Sequence, residues 1–256
     1  MESNIIAIIA AIYGAILGSF STALIHRLHF DESGIVNGRS RCPNCKKTLT
    51  WKNLIPIFSW IFQKGRCACC HKPISPFYPL IEISFASTFF IFAHKFYDTP
   101  LFFPLLIAAF FLLVLFYYDL MYMEVDQRIV FPAIILAALW TFFRETQNLQ
   151  ELWIGGLLGY GFYASQYYLS GKKWVGGGDL YFGALLGLLL GWKYLLLCLF
   201  LAYIIGATVA IYLIIFQKYK SKSEVPMGAF LMPSGLLFLY MGSDIWNWYW
   251  QNLILI

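Results

Sequence analysis

Uncharged apolar stretches of membrane-spanning length recur along this sequence and constrain its fold more than any other feature. The first, residues 5–25, carries no charged side chain and matches the roughly 20 residues that cross the hydrocarbon core of a bilayer. Comparable stretches follow at residues 77–93, 101–118, 129–143, 152–169, 180–192, 194–216 and 225–242. Backbone polar groups in lipid must be hydrogen-bonded internally, which favours helices. The sequence therefore predicts an all-α integral membrane protein, one polytopic domain over residues 1–256 with about eight transmembrane helices.

The low content of charged residues excludes an ordinary soluble domain. Only 12% of the residues are charged, whereas about a quarter are charged in soluble globular proteins. Glu2 precedes the first apolar stretch and Arg27 follows it, which is the reverse of the charge order of a cleavable signal peptide. We therefore expect the first helix to be retained, with its N-terminus outside.

The distribution of basic residues predicts an orientation in the membrane. From an outside N-terminus, alternating loops place residues 27–76, 119–128, 170–179 and 217–224 on the cytoplasmic side. Fifteen of the eighteen Lys and Arg residues fall in these loops, and only Lys95, Arg144 and Lys193 fall outside them. This asymmetry follows the positive-inside rule and puts both termini outside. The net charge of +5 then needs no nucleic-acid partner, because anionic lipid headgroups attract basic loops.

A polar insertion at residues 26–76, between the first two predicted helices, contains two CxxC pairs. Two such turns supply the four sulfur ligands of a tetrahedral zinc site, and the candidate ligands are Cys42, Cys45, Cys67 and Cys70. Disulfides rarely persist on the reducing cytoplasmic side. Cys69 and His71 lie beside the second pair and are alternative ligands. Four thiolates leave no open position for water, so we expect a structural zinc.

Ionisable residues within or beside membrane helices are functional candidates, because they are costly in lipid. Asp119 ends the third apolar stretch and Asp179 opens the sixth. Both fall at the same predicted depth on the same side, so helix packing is expected to bring their carboxylates together. Two such carboxylates share one proton, which allows one to activate water and the other to polarise a peptide carbonyl. This pair predicts an aspartyl protease; Glu82, Glu124 and Asp126 are the remaining candidates.

Glycines surround the second aspartate. Gly176, Gly177 and Gly178 directly precede it, and without a β-carbon they can adopt unusual dihedral angles and approach a substrate strand closely. Glycines recur at 183, 187 and 191, a spacing that lets a neighbouring helix come close and that we expect to admit the end of the third helix. A glycine turn before an aspartate is also typical of a plain loop with a helix N-cap.

Seven segments, in order along nearly the whole chain, resemble the type IV prepilin peptidases. These are GxGD-type aspartyl proteases that process type IV prepilins and the pseudopilins of type II secretion. The similar segments are residues 14–27, 40–45 with 65–70, 76–82, 119–125, 176–179 and 225–231. The chain differs from the family where Asp126 and Gln127 replace a Pro-Asp pair and where Tyr181 replaces a common lysine.

The resemblance implies a bacterial inner-membrane enzyme with its active site facing the cytoplasm. Such an enzyme cuts prepilins after a glycine that ends a short basic leader, and Asp119 and Asp179 stand at the positions of its catalytic aspartates, in a protease core over residues 101–256. The basic leader would meet Glu124 and Asp126. Many members also methylate the new N-terminus with S-adenosylmethionine. Nothing in the chain resembles a glycine-rich Rossmann site, so methylation is left open, with Glu82 and the insertion as its candidate contributors.

Two alternatives remain at the level of the sequence. One is a GxGD protease of the presenilin or signal-peptide-peptidase kind, in which the aspartates lie deeper in the bilayer. The other is a non-enzymatic membrane scaffold that binds zinc structurally. The oligomeric state is not predicted.

Overall fold

A computed structural model describes residues 2–32, 34, 38–42, 44–143, 149–217, 225–249 and 251–252. The described chain is helical, apart from loops and the two isolated antiparallel bridges Arg41–Thr48 and Arg66–Pro73. A 3₁₀ turn covers Trp51–Leu54. The α-helices are α1 (Glu2–His29), α2 (Phe58–Phe62), α3 (Phe77–Phe96), α4 (Phe102–Tyr122), α5 (Gln127–Phe143), α6 (Leu149–Leu169), α7 (Asp179–Gln217) and α8 (Gly228–Tyr249).

Five helices in this described part are long and apolar enough to cross a membrane: α1, α3, α4, α7 and α8. The chain is thus an all-α, multi-pass membrane protein, as predicted. The count of eight spans and the orientation remain predictions. Part of the basic-residue count falls outside the described residues, namely Arg144, Lys218, Lys220 and Lys222.

Helix α7 is broken rather than continuous. Its 39 residues include Gly191 with φ 75° and ψ 167°, a conformation that residues with a β-carbon rarely adopt. The sequence predicted two apolar stretches here, 180–192 and 194–216, and the break falls just before the end of the first. A glycine thus separates the two halves without an intervening loop.

The chain forms two compact units, Met1–Phe110 and Phe111–Ile256, with the boundary inside α4. In the first unit, α1 packs against α3 through two glycines. A β-carbon at Gly14 would lie 2.7 Å from the Phe85 carbonyl oxygen, and one at Gly18 would lie 2.9 Å from the Glu82 Cα. Small residues therefore let the two backbones approach closely. The predicted single domain, its insertion and its protease core stay predictions.

In the second unit, α7 packs against α6 through glycines on both helices. A β-carbon at Gly183 would meet the backbone of Gly159, and one at Gly187 would meet the backbone of Gly155. The expectation that these α7 glycines admit the end of the third helix, α4, was wrong. Helix α6 carries its own glycines at matching intervals and can come closer than a helix with bulky side chains.

Candidate active site and metal centre

Asp119 lies three residues before the end of α4 and is only 5% exposed. Its Oδ2 atom accepts a hydrogen bond from the Ala229 backbone N–H at 3.0 Å, and the Gly228 N–H also donates to this carboxylate. These donors belong to the first turn of α8. The first N–H groups of a helix have no intrahelical acceptor, and the helix dipole favours negative charge there. The α8 N-terminus is therefore a ready-made anion site occupied by Asp119.

A glycine at the start of α8 makes this contact possible. A β-carbon at Gly228 would lie 2.7 Å from Asp119 Oδ2 and would also meet the Phe182 ring. Phe182 lies one turn after Asp179 in α7. Gly228 is thus the point where α4, α7 and α8 converge beside the Asp119 carboxylate.

Asp179 is the first residue of α7 and is 8% exposed. Its Oδ2 atom accepts a hydrogen bond from the Gly176 N–H at 3.0 Å, and its own N–H donates to the Gly176 carbonyl oxygen at 3.2 Å. These reciprocal bonds close the glycine segment into a turn and fix the direction of the carboxylate. The structure places Asp119 and Asp179 within electrostatic range of each other.

The three glycines before Asp179 differ in the space around them. A β-carbon at Gly178 would collide with the Val125 side chain, whereas one at Gly176 or Gly177 would come no closer than 3.7 Å to any neighbour. None of the three is among the residues with positive φ. Within the protein, close approach of a neighbour explains only Gly178, and the predicted approach to a substrate strand stays a prediction. Val125, from the loop after α4, thus packs onto the turn that carries Asp179.

The two acidic residues of the loop after α4 are in different surroundings. Asp126 precedes α5, and its carboxylate accepts the Arg128 backbone N–H at 2.7 Å as an N-cap. The Arg128 guanidinium contacts the same carboxylate at 2.7 Å. Partial burial opposes ionisation, but these Arg128 contacts hold the pKa of Asp126 below its usual range. Glu124 is exposed and so is accessible to a ligand.

Glu82 lies in α3 and is buried within the first unit. Its Oε2 atom accepts a hydrogen bond from the Ile57 backbone N–H at 2.6 Å, and the Ser19 side chain in α1 also hydrogen-bonds this carboxylate. Glu82 therefore links the insertion to the α1–α3 pair. Its predicted part in methyl transfer stays a prediction.

The four cysteines of the CxxC pairs form one cluster. Their sulfur atoms all lie within 4.8 Å of one another, and Cys42 Sγ lies 3.9 Å from Cys70 Sγ. Sulfurs that each lie about 2.3 Å from a tetrahedral zinc would be about 3.8 Å apart. The four side chains, Cys42, Cys45, Cys67 and Cys70, therefore fit a tetrathiolate metal centre.

The two cysteine turns have the same backbone pattern, and neither alternative ligand, Cys69 or His71, belongs to the cysteine cluster. The Lys46 N–H donates to the Cys42 carbonyl oxygen, and the His71 N–H donates to the Cys67 carbonyl oxygen, both at 2.9 Å. Lys46 and His71 adopt φ of 57° and 56°, so His71 is a turn residue equivalent to a lysine. Cys69 is exposed and His71 is outside the cluster.

Backbone N–H groups stabilise a thiolate in this cluster, and a thiolate attracts a cation. The N–H groups of Cys70 and Cys69 stabilise the Cys67 thiolate and lower the pKa of Cys67 to about 6. The Lys72 backbone N–H lowers the pKa of Cys70, but loss of solvation and hydrogen bonds with the other three cysteines outweigh this effect and raise it to about 11. Metal ions bind the thiolate rather than the thiol.

Sequence reasoning missed Gly228, Ala229 and Val125. Segment 225–231 resembles a family motif, but a search for ionisable side chains cannot find backbone donors. The detectable signal was a Pro226-Met-Gly228 sequence just before an apolar helix, which is typical of a helix start.

Two protein-family models match this chain. The model of the bacterial peptidase A24 N-terminal domain matches residues 12–96, and that of the type IV leader peptidase family matches residues 106–211. A prepilin leader peptidase/N-methyltransferase of Bacillus subtilis strain 168 is 32% identical, over 93% of this chain and 95% of that protein. One of the same name from Aeromonas hydrophila is 28% identical, over 95% and 93%. No solved structure matches significantly. The chain therefore belongs to the type IV leader peptidase family.

Proposed function

We propose that this chain is a membrane aspartic endopeptidase that removes the short basic leader of type IV prepilins or pseudopilins, with Asp119 and Asp179 as its catalytic pair. Two buried carboxylates within electrostatic range of each other carry this proposal. Each is oriented by backbone N–H groups, from Ala229 at the start of α8 and from Gly176 in the glycine turn.

The chemistry follows from the closeness of the two groups. Two neighbouring carboxylates do not both ionise easily, so they hold one shared proton. The ionised member takes a proton from a water molecule as that water attacks the scissile carbonyl carbon. The protonated member donates to the carbonyl oxygen and stabilises the tetrahedral intermediate. Collapse of the intermediate breaks the C–N bond, and a carboxyl proton passes to the leaving amine.

Substrate recognition is proposed at the loop after α4. Glu124 is exposed and adjoins Val125, which packs against the turn of Asp179. Its negative charge suits the basic leader of a prepilin. Asp126 contributes less to this recognition, because Arg128 neutralises its charge. The fit supports a membrane orientation in which this loop and the active site face the cytoplasm of a bacterial inner membrane, with both termini outside.

A structural zinc is proposed at Cys42, Cys45, Cys67 and Cys70. When bound, zinc would supply cross-linking of the two cysteine turns, since four thiolates complete its tetrahedral coordination. The backbone of this chain also favours metal binding, because its N–H groups stabilise the thiolate of Cys67.

Cleavage by purified full-length protein tests the proposal. The protein is reconstituted in lipid nanodiscs with a synthetic prepilin, and the products are weighed by mass spectrometry. We expect Asp119→Asn and Asp179→Asn each to lower kcat/KM by about 10²–10⁴-fold, the usual contribution of acid–base groups. Asp98→Asn, a carboxylate-to-amide change between α3 and α4, serves as the matched control and retains activity. Full activity in both catalytic variants would assign the catalysis to other residues, and no cleavage by the wild-type protein would favour the non-enzymatic scaffold.

The same assay decides the second activity of the relatives. Their names include N-methyltransferase, and the products are therefore also weighed after addition of S-adenosylmethionine. A gain of one methyl group on the new N-terminus, and only in the presence of the donor, would assign that activity to this chain. Substitution of Glu82 by Gln then tests its contribution to the methyl-transfer step alone.

A further inference from the structure

The cysteine-bearing insertion exposes large apolar side chains in an otherwise polar segment. Trp51 is 71% exposed and Phe62 is 81% exposed, and Phe58 and Ile61 are also exposed. We call these four residues the apolar wedge. Contiguous exposed apolar surface on a polar segment marks a binding face for a membrane or a protein.

Helix α2 carries most of the wedge and is arranged with its apolar face outward. Phe58, Ile61 and Phe62 are three and four residues apart and therefore share one helix face. Trp60 faces the other way: its Nε1–H donates to the Ile74 carbonyl oxygen at 3.2 Å, and its ring lies over Gly65. The inner side of α2 is thus already packed against the cysteine-bearing loop, and the wedge is additional apolar surface.

A strained turn fixes α2 to a membrane helix. Ile57 has φ 65° and ψ −56°, and the Phe58 N–H donates to the Pro56 carbonyl oxygen at 2.6 Å, which together define a γ-turn of the rare strained kind. A β-branched residue adopts positive φ only when its surroundings impose it. Here the Ile57 N–H donates to Glu82 in α3 at 2.6 Å.

This hydrogen bond sets the depth of the wedge. Glu82 is the sixth residue of α3, and at a rise of 1.5 Å per residue it lies about 8 Å from the start of that helix. Helix α3 is long and apolar enough to cross the bilayer, and Leu80 and Ile83 on either side of Glu82 are exposed. Phe58, next to Ile57, therefore lies at the depth where α3 enters the bilayer.

The basic charge of the insertion favours anionic lipid as the ligand of the apolar wedge. The insertion, residues 26–76, contains nine Lys and Arg residues and only two acidic residues, Asp31 and Glu32. Lys52, which follows Trp51, and Lys64, two residues after Phe62, are exposed. An apolar face bordered by basic side chains is typical of segments that lie in the interface of a bilayer with anionic lipids. Trp is also enriched at that depth.

We infer that the apolar wedge inserts into the interfacial region of the lipid leaflet, while the basic side chains around it bind anionic phospholipid headgroups. The cysteine-bearing insertion is then attached to the membrane at two points, the Glu82 hydrogen bond and the wedge. It lies along the bilayer surface rather than projecting into solution.

Site-specific photocrosslinking in nanodiscs tests this. p-Benzoylphenylalanine is introduced at position 62, 58 or 51 of the full-length protein, and at position 60 on the inner face of α2 as the matched control. After irradiation, we expect the three wedge positions to gain the mass of one phospholipid and position 60 to gain none. In mixed phosphatidylcholine and phosphatidylglycerol discs, phosphatidylglycerol should exceed its share of the mixture among the adducts.

Several outcomes would overturn the inference. Crosslinks to a second copy of the chain, or to an added prepilin peptide in place of lipid, would assign the wedge to a protein partner. Wedge positions that gain no lipid would show a solvent-exposed face. Adducts in the same proportions as the lipid mixture would contradict the binding of anionic headgroups by the basic residues. Position 51 lies outside α2, in the 3₁₀ turn, and serves if substitution in α2 impairs folding.

Discussion

Asp119 accepts a hydrogen bond from the backbone N–H of Ala229, 110 positions later in the chain, at 3.0 Å. This bond joins the end of α4 to the start of α8 at a buried carboxylate. Preorganised backbone dipoles stabilise charge without reorganisation during a reaction. The α8 N-terminus therefore orients one member of the proposed catalytic pair.

Substitution of Gly228 by Ala is expected to displace this carboxylate. The new β-carbon would lie 2.7 Å from Asp119 Oδ2, and a misplacement of about 1 Å can lower activity about 10²-fold. Overpacking also costs about 1–3 kcal/mol of stability. The measurements are kcat/KM for prepilin cleavage and the thermal unfolding midpoint in nanodiscs.

A second glycine provides the control for Gly228. Nothing lies within 4 Å of a β-carbon placed on Gly161 in α6, so Gly161→Ala should leave cleavage unchanged. It should also stabilise the helix by up to about 1 kcal/mol, because Ala has the higher helix propensity. Equal losses of activity in the two variants would contradict the assigned role of Gly228.

The glycine turn before Asp179 should tolerate alanine at only some positions. Gly178→Ala forces Val125 away and is expected to shift Asp179, with a loss of cleavage of about 10²-fold. Gly177→Ala has room, since its nearest neighbour is the Tyr167 hydroxyl at 3.7 Å, and should remain near wild-type activity. Single-turnover cleavage by the two variants distinguishes them. Similar defects would mean that the turn itself must flex.

The helices and the cysteine cluster were predicted correctly from the sequence. The uncharged apolar stretches predicted the helices, and the CxxC spacing predicted the cysteine cluster with all four sulfurs. Both signals are local in sequence, and each follows directly from bilayer thickness or ligand geometry. The aspartates were chosen because charged groups are rare at membrane helices.

The sequence did not predict which helices pack against each other. Glycine spacing in α7 indicated a close neighbour but could not distinguish α4 from α6, because both are apolar and of similar length. The Ala229 donor carries no side-chain signal at all. A packed neighbour such as Val125 likewise depends on three-dimensional arrangement, since a valine has no feature that marks it for one contact.

The metal centre should depend on the four clustered cysteines and not on Cys69. Substitution of Cys42 or Cys67 by Ser removes one of four ligands, and we expect the bound zinc to fall from one per chain to near zero. Cys69→Ser should keep its metal, because Cys69 is exposed and outside the cluster. Elemental analysis of the purified protein measures the difference. Full metal content in Cys42→Ser would assign the site elsewhere.

The N-cap of α5 supplies a pH-dependent prediction. Asp126 both caps α5 and pairs with Arg128. Asn is as good an N-cap as Asp, so Asp126→Asn removes mainly the ion pair, at about 0–1 kcal/mol. Asp126→Ala also removes the cap, at about 0.5–2 kcal/mol. At neutral pH we therefore expect the unfolding midpoint to fall in the order wild type, Asn, Ala.

Lowering the pH should remove the difference in unfolding midpoint between the wild type and Asp126→Asn. The pKa of Asp126 is lower in the folded protein than its usual value, which is about 3.9 in unfolded chains. The charge therefore stabilises the fold fully above about pH 4 and progressively less as the pH falls through the folded pKa. The gap between the wild-type and Asp126→Asn midpoints should close over that range. A gap that stays constant down to pH 3 would mean that Arg128 does not act on the ionised carboxylate, and that the N-cap alone explains the position of Asp126.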